Sequence, residues 1–346
     1  MELPAPCAIA SVTAVSVSLG DSIDQRYSVH EKIGRGGMAE VWAATDKQTG
    51  REVAIKLALV RASKDPVLLE RMHREARLAA SIHSPFVCAV LGAGVARGRP
   101  YIVFERLQGE SLQHLLDRES SLPFVEVATM IDNVLEALVA AHSAGVIHRD
   151  LSPSNVFLEE TLAGRRARVL DFGISKDRAG AETTLTRDGS ELGNYGCMAP
   201  EQGRSAGEAD ERADIYAVGT IAFRALAGRM PFEARSPHAV LAMKVDCDPP
   251  TLSEVTAEVW PADLERFLQT ALSRRREDRF PSAWSALGAW RTVVAHTDSA
   301  REKGARASRH PTHSELIAAE QTNTETMTMS AAHPRRLSPK NTGRRR

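Results

Sequence analysis

The sequence predicts an α+β fold in two lobes: a small antiparallel β-rich N-terminal lobe with one helix, and a larger, mainly helical C-terminal lobe. Three observations carry this expectation. Residues 27–60 alternate apolar and polar side chains, the period of a half-buried strand. From Leu112 onward apolar residues return at every third or fourth position, the period of an amphipathic helix. The 346 residues amount to about two packed units at roughly 150 residues each, or to one bilobal unit with tails.

Residues 1–26 read as a flexible leader. Their apolar middle lacks the positive flank of a signal peptide, carrying Glu2 instead, and Ser and Thr interrupt it. The N-terminal lobe, 27–107, opens with three strands. β-Branched residues alternate through Arg51-Glu-Val-Ala-Ile-Lys-Leu57, while Gly34-Arg-Gly-Gly37 and Thr49-Gly50 mark the turns. Leu68, Met72, Glu75, Ala79 and Ile82 then recur at steps of four and three. A helix over 66–82 therefore carries Glu75 on its inward stripe, where an unpaired carboxylate is costly. Two further strands are expected near Val87–Val95 and Tyr101–Glu105.

The C-terminal lobe, 108–294, contains a long helix through Val127, Ile131, Val134, Leu135, Leu138 and His142, with Gly145 as its stop. Residues 213–228 are apolar on nearly all sides, as in a helix buried at the middle of a lobe. A last helical region runs from Asp263 to about Val294, with Trp284 and Trp290 as packing anchors. Past residue 295 large apolar side chains become scarce and Ser, Thr, His and Arg dominate. Such a segment buries too little surface to offset chain entropy, so 295–346 is expected to be a disordered, basic, Ser/Thr-rich tail.

Composition narrows the function classes. Lys plus Arg and Asp plus Glu each number 44, so net charge points to no nucleic-acid or acidic partner. Hydrophobic residues at 43% and charged residues at 25% exclude a wholly disordered or collagen-like chain. No apolar run of about 18 residues or more suggests a membrane-spanning helix. Cys7, Cys88, Cys197 and Cys247 are scattered without C-x-x-C pairing, as expected in a reducing, cytoplasmic setting. The histidines lack zinc-ligand spacing.

Four segments carry chemistry. Ile33-Gly-Arg-Gly-Gly-Met-Ala-Glu-Val41 is a glycine loop between strands. A dinucleotide-binding loop needs a helix directly after the glycines, and here a β-rich run follows. A glycine hairpin can instead fold over phosphates and present backbone N–H groups without obstruction. Val53-Ala-Ile-Lys56 sets one lysine in an apolar strand. A lone strand lysine usually keeps its ammonium in water, but Glu75 on the inward face of the next helix offers it a partner. Val146-Ile-His-Arg-Asp-Leu-Ser-Pro-Ser-Asn155 and Val169-Leu-Asp-Phe-Gly173 are two acidic loops beside short apolar strands. They supply a candidate base, Asp150, and hard oxygens, Asn155 and Asp171, of the type Mg2+ prefers.

Taken in order, and with Met198-Ala-Pro-Glu201 after them, these segments resemble the protein-kinase family, specifically the eukaryotic-like, Hanks-type Ser/Thr kinases of bacteria, over roughly residues 27–293. The resemblance implies that the loop at Gly34, Gly36 and Gly37 covers ATP and that Lys56 contacts its α and β phosphates while pairing with Glu75. It implies that Asn155 and Asp171 hold Mg2+, with Mn2+ as an alternative ion, and that Asp150 takes or orients the proton of the substrate hydroxyl. Ile33, Val41, Ala54 and Phe157 would line the adenine slot, Phe104 would close its back, and the backbone from Glu105 to Leu107 would read the base. Glu201 with Arg279 and the lone Asp214 would brace the C-terminal lobe, and His148 would be a core residue.

The family pattern also implies protein substrates bearing Ser or Thr, and control by phosphorylation of the segment between Asp171 and Glu201. Arg149 would meet that phosphate, and Thr184 or Thr186 is preferred over Thr183 and Ser190 as its site. The alternating run Thr322 to Thr328 is a candidate autophosphorylation cluster for a phosphothreonine-binding partner. Three departures stand out. Ala39 replaces the third loop glycine, Ser152 stands where Ser/Thr kinases usually carry a lysine, and Asn194 stands where they carry a threonine. The last two remove both partners of one interaction, and they motivate the alternative of an ATP-binding pseudokinase or weakly active scaffold. A kinase of small-molecule hydroxyls is disfavoured by the MAPE segment, which shapes a peptide platform in the family.

Overall fold

The computed structural model describes residues 18–37, 39–60, 66–172, 195–203 and 209–307. An N-terminal sheet has the strand order β1-β2-β3-β4-β6-β5, every neighbour antiparallel. Its strands are β1 (Ser22–Ile23), β2 (Tyr27–Arg35), β3 (Ala39–Asp46), β4 (Glu52–Ala58), β5 (Val90–Ala96) and β6 (Arg99–Glu105). The expected glycine turn joins β2 to β3. The leader is shorter than expected, because Ser22 and Ile23 pair with Ser28 and Tyr27 and Ile23 is buried.

Strand alternation sorts this sheet into two faces. Val41 lies opposite Lys56, Ala43 opposite Ala54, and Ala54 opposite Phe104, so these side chains share one face. Trp42, Ile55, Leu57, Tyr101 and Val103 fill the other, in a cluster with Tyr27 and Val29. Buried Glu40 lies on that second face too, held by Arg99 at 2.6 Å and Lys32 at 2.9 Å. Helix α1 (Pro66–Ser81) contributes Met72 and Ala76 to a small cluster with Ala58, Ile102, Phe104 and Leu107 on the first face.

The C-terminal lobe follows through β7 (Gly109–Ser111), α2 (Leu112–Arg118) and α3 (Phe124–Ser143). Gly145, at φ +73°, donates its N–H to His142 and ends α3 as the sequence suggests. β8 (Val156–Thr161) and β9 (Gly164–Val169) make a three-stranded sheet with β7. The remaining helices are α4 (Arg212–Ala227), α5 (Pro237–Asp246), α6 (Leu252–Thr256), α7 (Ala262–Ala271) and α8 (Ala283–Ala307). α4 is buried along nearly its whole length and runs through the main core. A Cβ on Gly219 would come within 2.8 Å of the Ala271 Cβ, so α4 and α7 approach through a position that only glycine allows.

The two tryptophans expected to anchor the last helix part company. Trp290 is fully buried, packs on Phe124 and Phe267, and donates its indole N–H to the Ala128 carbonyl. Trp284 is 70% exposed and anchors nothing in the core. It lies six positions before Trp290, which is not a helical repeat, so the two cannot share a face. α8 also continues beyond residue 295 to Ala307. Among the described residues no helix is long and apolar enough to cross a membrane.

Candidate active site

The first face of the N-terminal sheet and the loops around β8 and β9 supply the site. Lys56, on β4 opposite Val41, points from that face, and its ammonium lies 3.0 Å from the Asp171 carboxylate. Neither group is sealed: the Lys56 side chain is 20% exposed and that of Asp171 39%. The position of Glu75 falls within α1, but its side chain lies outside the described residues, as do Gly173, Asn194 and all four candidate phosphorylation sites between Asp171 and Glu201. The Thr322–Thr328 run lies outside them as well.

The loop holding Asp150 is built from beneath. Asp214, near the start of α4 and 1% exposed, accepts the backbone N–H groups of His148 and Arg149, each at 2.8 Å, and meets the His142 imidazole at 2.9 Å. Burial pushes the Asp214 carboxyl up, but the His142 hydrogen bond, the nearby imidazoles and the His148 N–H outweigh it and hold it below the ordinary Asp value of 3.8. The anchored turn is strained. Arg149 has φ +63°, a left-handed conformation that a side chain rarely adopts unless its surroundings impose it. Asp171 has φ +43°, so both acidic loops carry such a residue at the site.

His148 ties the two loops together. Its Nε2 lies 3.0 Å from the Leu170 carbonyl, and its Nδ1 accepts the Asp150 N–H at 3.3 Å. A carbonyl can only accept, so the ring carries its proton on Nε2. Phe172 packs against the same imidazole, with centroids 4.9 Å apart. Asn155 donates its amide N–H to the Asp150 carbonyl at 2.8 Å, which leaves its amide oxygen as the atom it can offer a cation.

Of the apolar candidates, Val41, Ala54 and Phe104 share the sheet face that carries Lys56. Ala54 and Phe157 pack on the cluster that contains Phe104 and Leu107. Ile33 and Val41 are half-buried, and Gly34 pairs with Val41 across β2 and β3. Glu105 is held from behind: its backbone N–H donates to Ala89, and its carboxylate accepts the Ala89 N–H at 2.7 Å and pairs with Arg168. Arg168 also bonds Glu159 and the Val87 carbonyl. Sequence reasoning missed this staple; a lone arginine in the apolar run Ala167 to Leu170 was its signal.

These residues fit a nucleoside triphosphate with a divalent ion. Among the described residues, a Cβ on Gly34 or Gly36 would make only ordinary contacts, and one on Gly37 would meet nothing within 4 Å. The protein's own packing therefore does not demand glycine there, whereas close approach of a ligand to the backbone does. A half-open cation, a half-open carboxylate and an amide oxygen complete a donor set suited to phosphate and to a hard metal. Ser152 is buried and, among the described residues, its hydroxyl has no hydrogen-bond partner, so the position where a lysine is usual supplies no charge.

Comparison with known proteins agrees with this geometry. The family model described as the protein kinase domain matches residues 27–289. A probable serine/threonine-protein kinase PknB of Corynebacterium glutamicum is 36% identical over 268 residues, covering 75% of this chain and 41% of that protein. The serine/threonine-protein kinase pkn3 of Myxococcus xanthus is 34% identical over 311 residues, covering 87% of this chain and 55% of its own length. The chain thus spans about half or less of these relatives. Among solved structures, the PknI kinase domain of Mycobacterium tuberculosis superposes with a TM-score of 0.62 at 28% identity, covering 80% of this chain and all of that one. With the fold, the ordered motifs and these matches in agreement, the chain belongs to the protein kinase family, among the Hanks-type Ser/Thr kinases known from bacteria.

Proposed function

We propose that this chain transfers the γ-phosphoryl group of ATP to serine and threonine hydroxyls of proteins, its own among them. The observation that carries the reading is the meeting of Lys56 and Asp171, both half-open, at a cleft whose base, Asp150, is held rigidly from below. ATP with Mg2+, or with Mn2+ in its place, supplies the transferable group and neutralises charge on the phosphates. The side chains then have mainly to align and stabilise, because the transition state of phosphoryl transfer is loose.

In this reading Gly34, Gly36 and Gly37 let backbone N–H groups approach the phosphates, and Lys56 binds their α and β oxygens, steadied by Glu75. Asn155 and Asp171 would hold the metal. Ile33, Val41, Ala54 and Phe157 sandwich the adenine, and the backbone of Glu105 and Leu107 reads its edge. Asp150 accepts the proton of the incoming hydroxyl. Phosphorylation at Thr184 or Thr186 would order the segment after Asp171 through Arg149, and Thr322–Thr328 would offer a phosphothreonine-binding partner its site. A site that consumes ATP belongs in the cytoplasm, where ATP and Mg2+ are abundant.

The test is transfer of labelled phosphate from ATP to the protein itself and to myelin basic protein, with Asp150→Asn as control. The expected result is incorporation that the substitution reduces by about 10²–10⁴-fold. No incorporation by the wild type, combined with thermal stabilisation by nucleotide, would replace the kinase reading with that of an ATP-binding scaffold. The buried, uncharged Ser152 favours that second reading.

A further inference from the structure

Lys244, on α5, has no exposed surface, and burial lowers its ammonium to about 8. That ammonium donates to the carbonyls of Tyr195 at 2.8 Å, Gly196 at 2.6 Å and Met198 at 2.7 Å. Three acceptors use all of its donors. Among the described residues no carboxylate pairs with it, so all of its N–H donors go to backbone carbonyls. Residues 195–197 form a helical turn, and a helix end leaves such carbonyls without partners and carries partial negative charge. Lys244 caps that end from a different helix.

The capped loop is pressed into place on other sides as well. A Cβ on Gly196 would come within 3.0 Å of the Met230 Cε, and one on Gly203 within 3.2 Å of Leu241, also on α5. The Tyr216 ring lies 5.1 Å from the Lys244 ammonium. From here the loop reaches the catalytic machinery directly. Cys197 and Met198 line one small cavity with Arg149, Asp150 and Leu151. Gln202 donates to the Arg149 carbonyl at 2.8 Å and accepts the Ala199 N–H at 2.9 Å. A set of contacts therefore runs from Lys244 through residues 195–202 to the residue before Asp150.

We infer that Lys244 is a positioning residue for the protein substrate: by gathering the carbonyls of Tyr195, Gly196 and Met198 it fixes the loop beside Asp150, so that an acceptor hydroxyl meets the base in one geometry. The inference rests on the kinase reading above. Nucleotide binding depends on it less, because Lys56 is carried by β4 and meets Asp171, whereas Lys244 acts on the carbonyls of 195–198. Misplacement of a reacting group by about 1 Å can cost about 10²-fold in rate, so loosening this loop is felt chiefly in transfer to the protein substrate.

The test uses the full chain and Lys244→Met, which retains the apolar stem and loses all three donors. The kcat for phosphate transfer to myelin basic protein is expected to fall about 10-fold or more, while the KM for ATP stays within about twofold of wild type. In hydrogen exchange the amides of 195–203 are expected to open about 10-fold faster, with those of α4 unchanged. An unchanged kcat toward the protein substrate, or a comparable rise in the KM for ATP, overturns the inference. A wild type that transfers no phosphate refutes the kinase reading instead. Exchange then decides the anchor by itself, and unchanged protection of 195–203 refutes it. Should Lys244→Met fail to fold, Lys244→Gln, which keeps two N–H donors, is measured in the same way with the same outcomes.

Discussion

The loop around Asp150 has two sides, and they are built on opposite rules. Toward α4 it rests on Asp214, 1% exposed and engaged by two backbone N–H groups and an imidazole. On its other side His148 ties it to the loop of Asp171, which meets Lys56 at 3.0 Å, and both of these charges stay partly open to water. The buried side is saturated, and so serves structure. The open side keeps charge within reach of a ligand. Two basic residues repeat the contrast: Lys244 is sealed with every donor on a carbonyl, whereas Lys56 pairs with a carboxylate that a metal could claim. Burial and completeness of hydrogen bonding, more than residue type, separate scaffold from site.

Substitutions on the two sides should therefore fail in different ways. The largest effect belongs to the open side: Lys56→Met should lower phosphate transfer by about 10²–10³-fold, the scale of one electrostatic contact to the reacting group, with little change in thermal midpoint. A parallel drop in midpoint would blur the distinction. On the closed side, Arg279→Met should destabilise the fold by about 3–5 kcal/mol in denaturant titration. The Arg279 side chain is wholly buried, bonds Glu201 at 2.7 and 2.8 Å, and also satisfies carbonyls of Arg212, Ser273 and Arg274.

The tryptophans give an internal control of similar and then smaller size. Trp290→Ala should cost about 3–5 kcal/mol through a cavity in the core. Trp284→Ala, at a 70% exposed position, should stay within about 0.5 kcal/mol. A large cost at Trp284 would mean that it packs against a partner. The smallest effect concerns acid. Asp214 is held below 3.8 in the folded chain, so the stability it contributes is complete above that value and is lost as pH falls through the native value. The stability gap between wild type and Asp214→Asn should accordingly narrow as pH drops below about 4. A gap that stays constant would show that Asp214 acts through shape and not through charge.

Much of this was legible in the sequence because it depends on local periodicity. Period-two alternation around Lys56 sets it on the face opposite Ile55 and Leu57, and the all-round apolar stretch at 213–228 becomes the buried α4. The scaffold roles of Asp214 and Arg279 followed from resemblance, since nothing local to either residue reveals a partner more than 60 positions away. Lys244 was illegible in practice. Its one signal was its place four residues after buried Val240 on the same helix stripe, a pattern that a lysine with its head in water would also produce. Trp284 misled because a tryptophan usually packs, and only its register relative to Trp290 argues otherwise. The Arg168–Glu105 pair spans two lobes and leaves no periodic trace.

The most direct measurement is intact-mass and peptide mass spectrometry of the chain expressed alone, beside its Asp150→Asn form. Phosphate on serine or threonine of the wild type, and none on the variant, is the predicted result. A wild type that gains no phosphate in the presence of ATP and Mg2+ would contradict the claim that this cleft transfers a phosphoryl group.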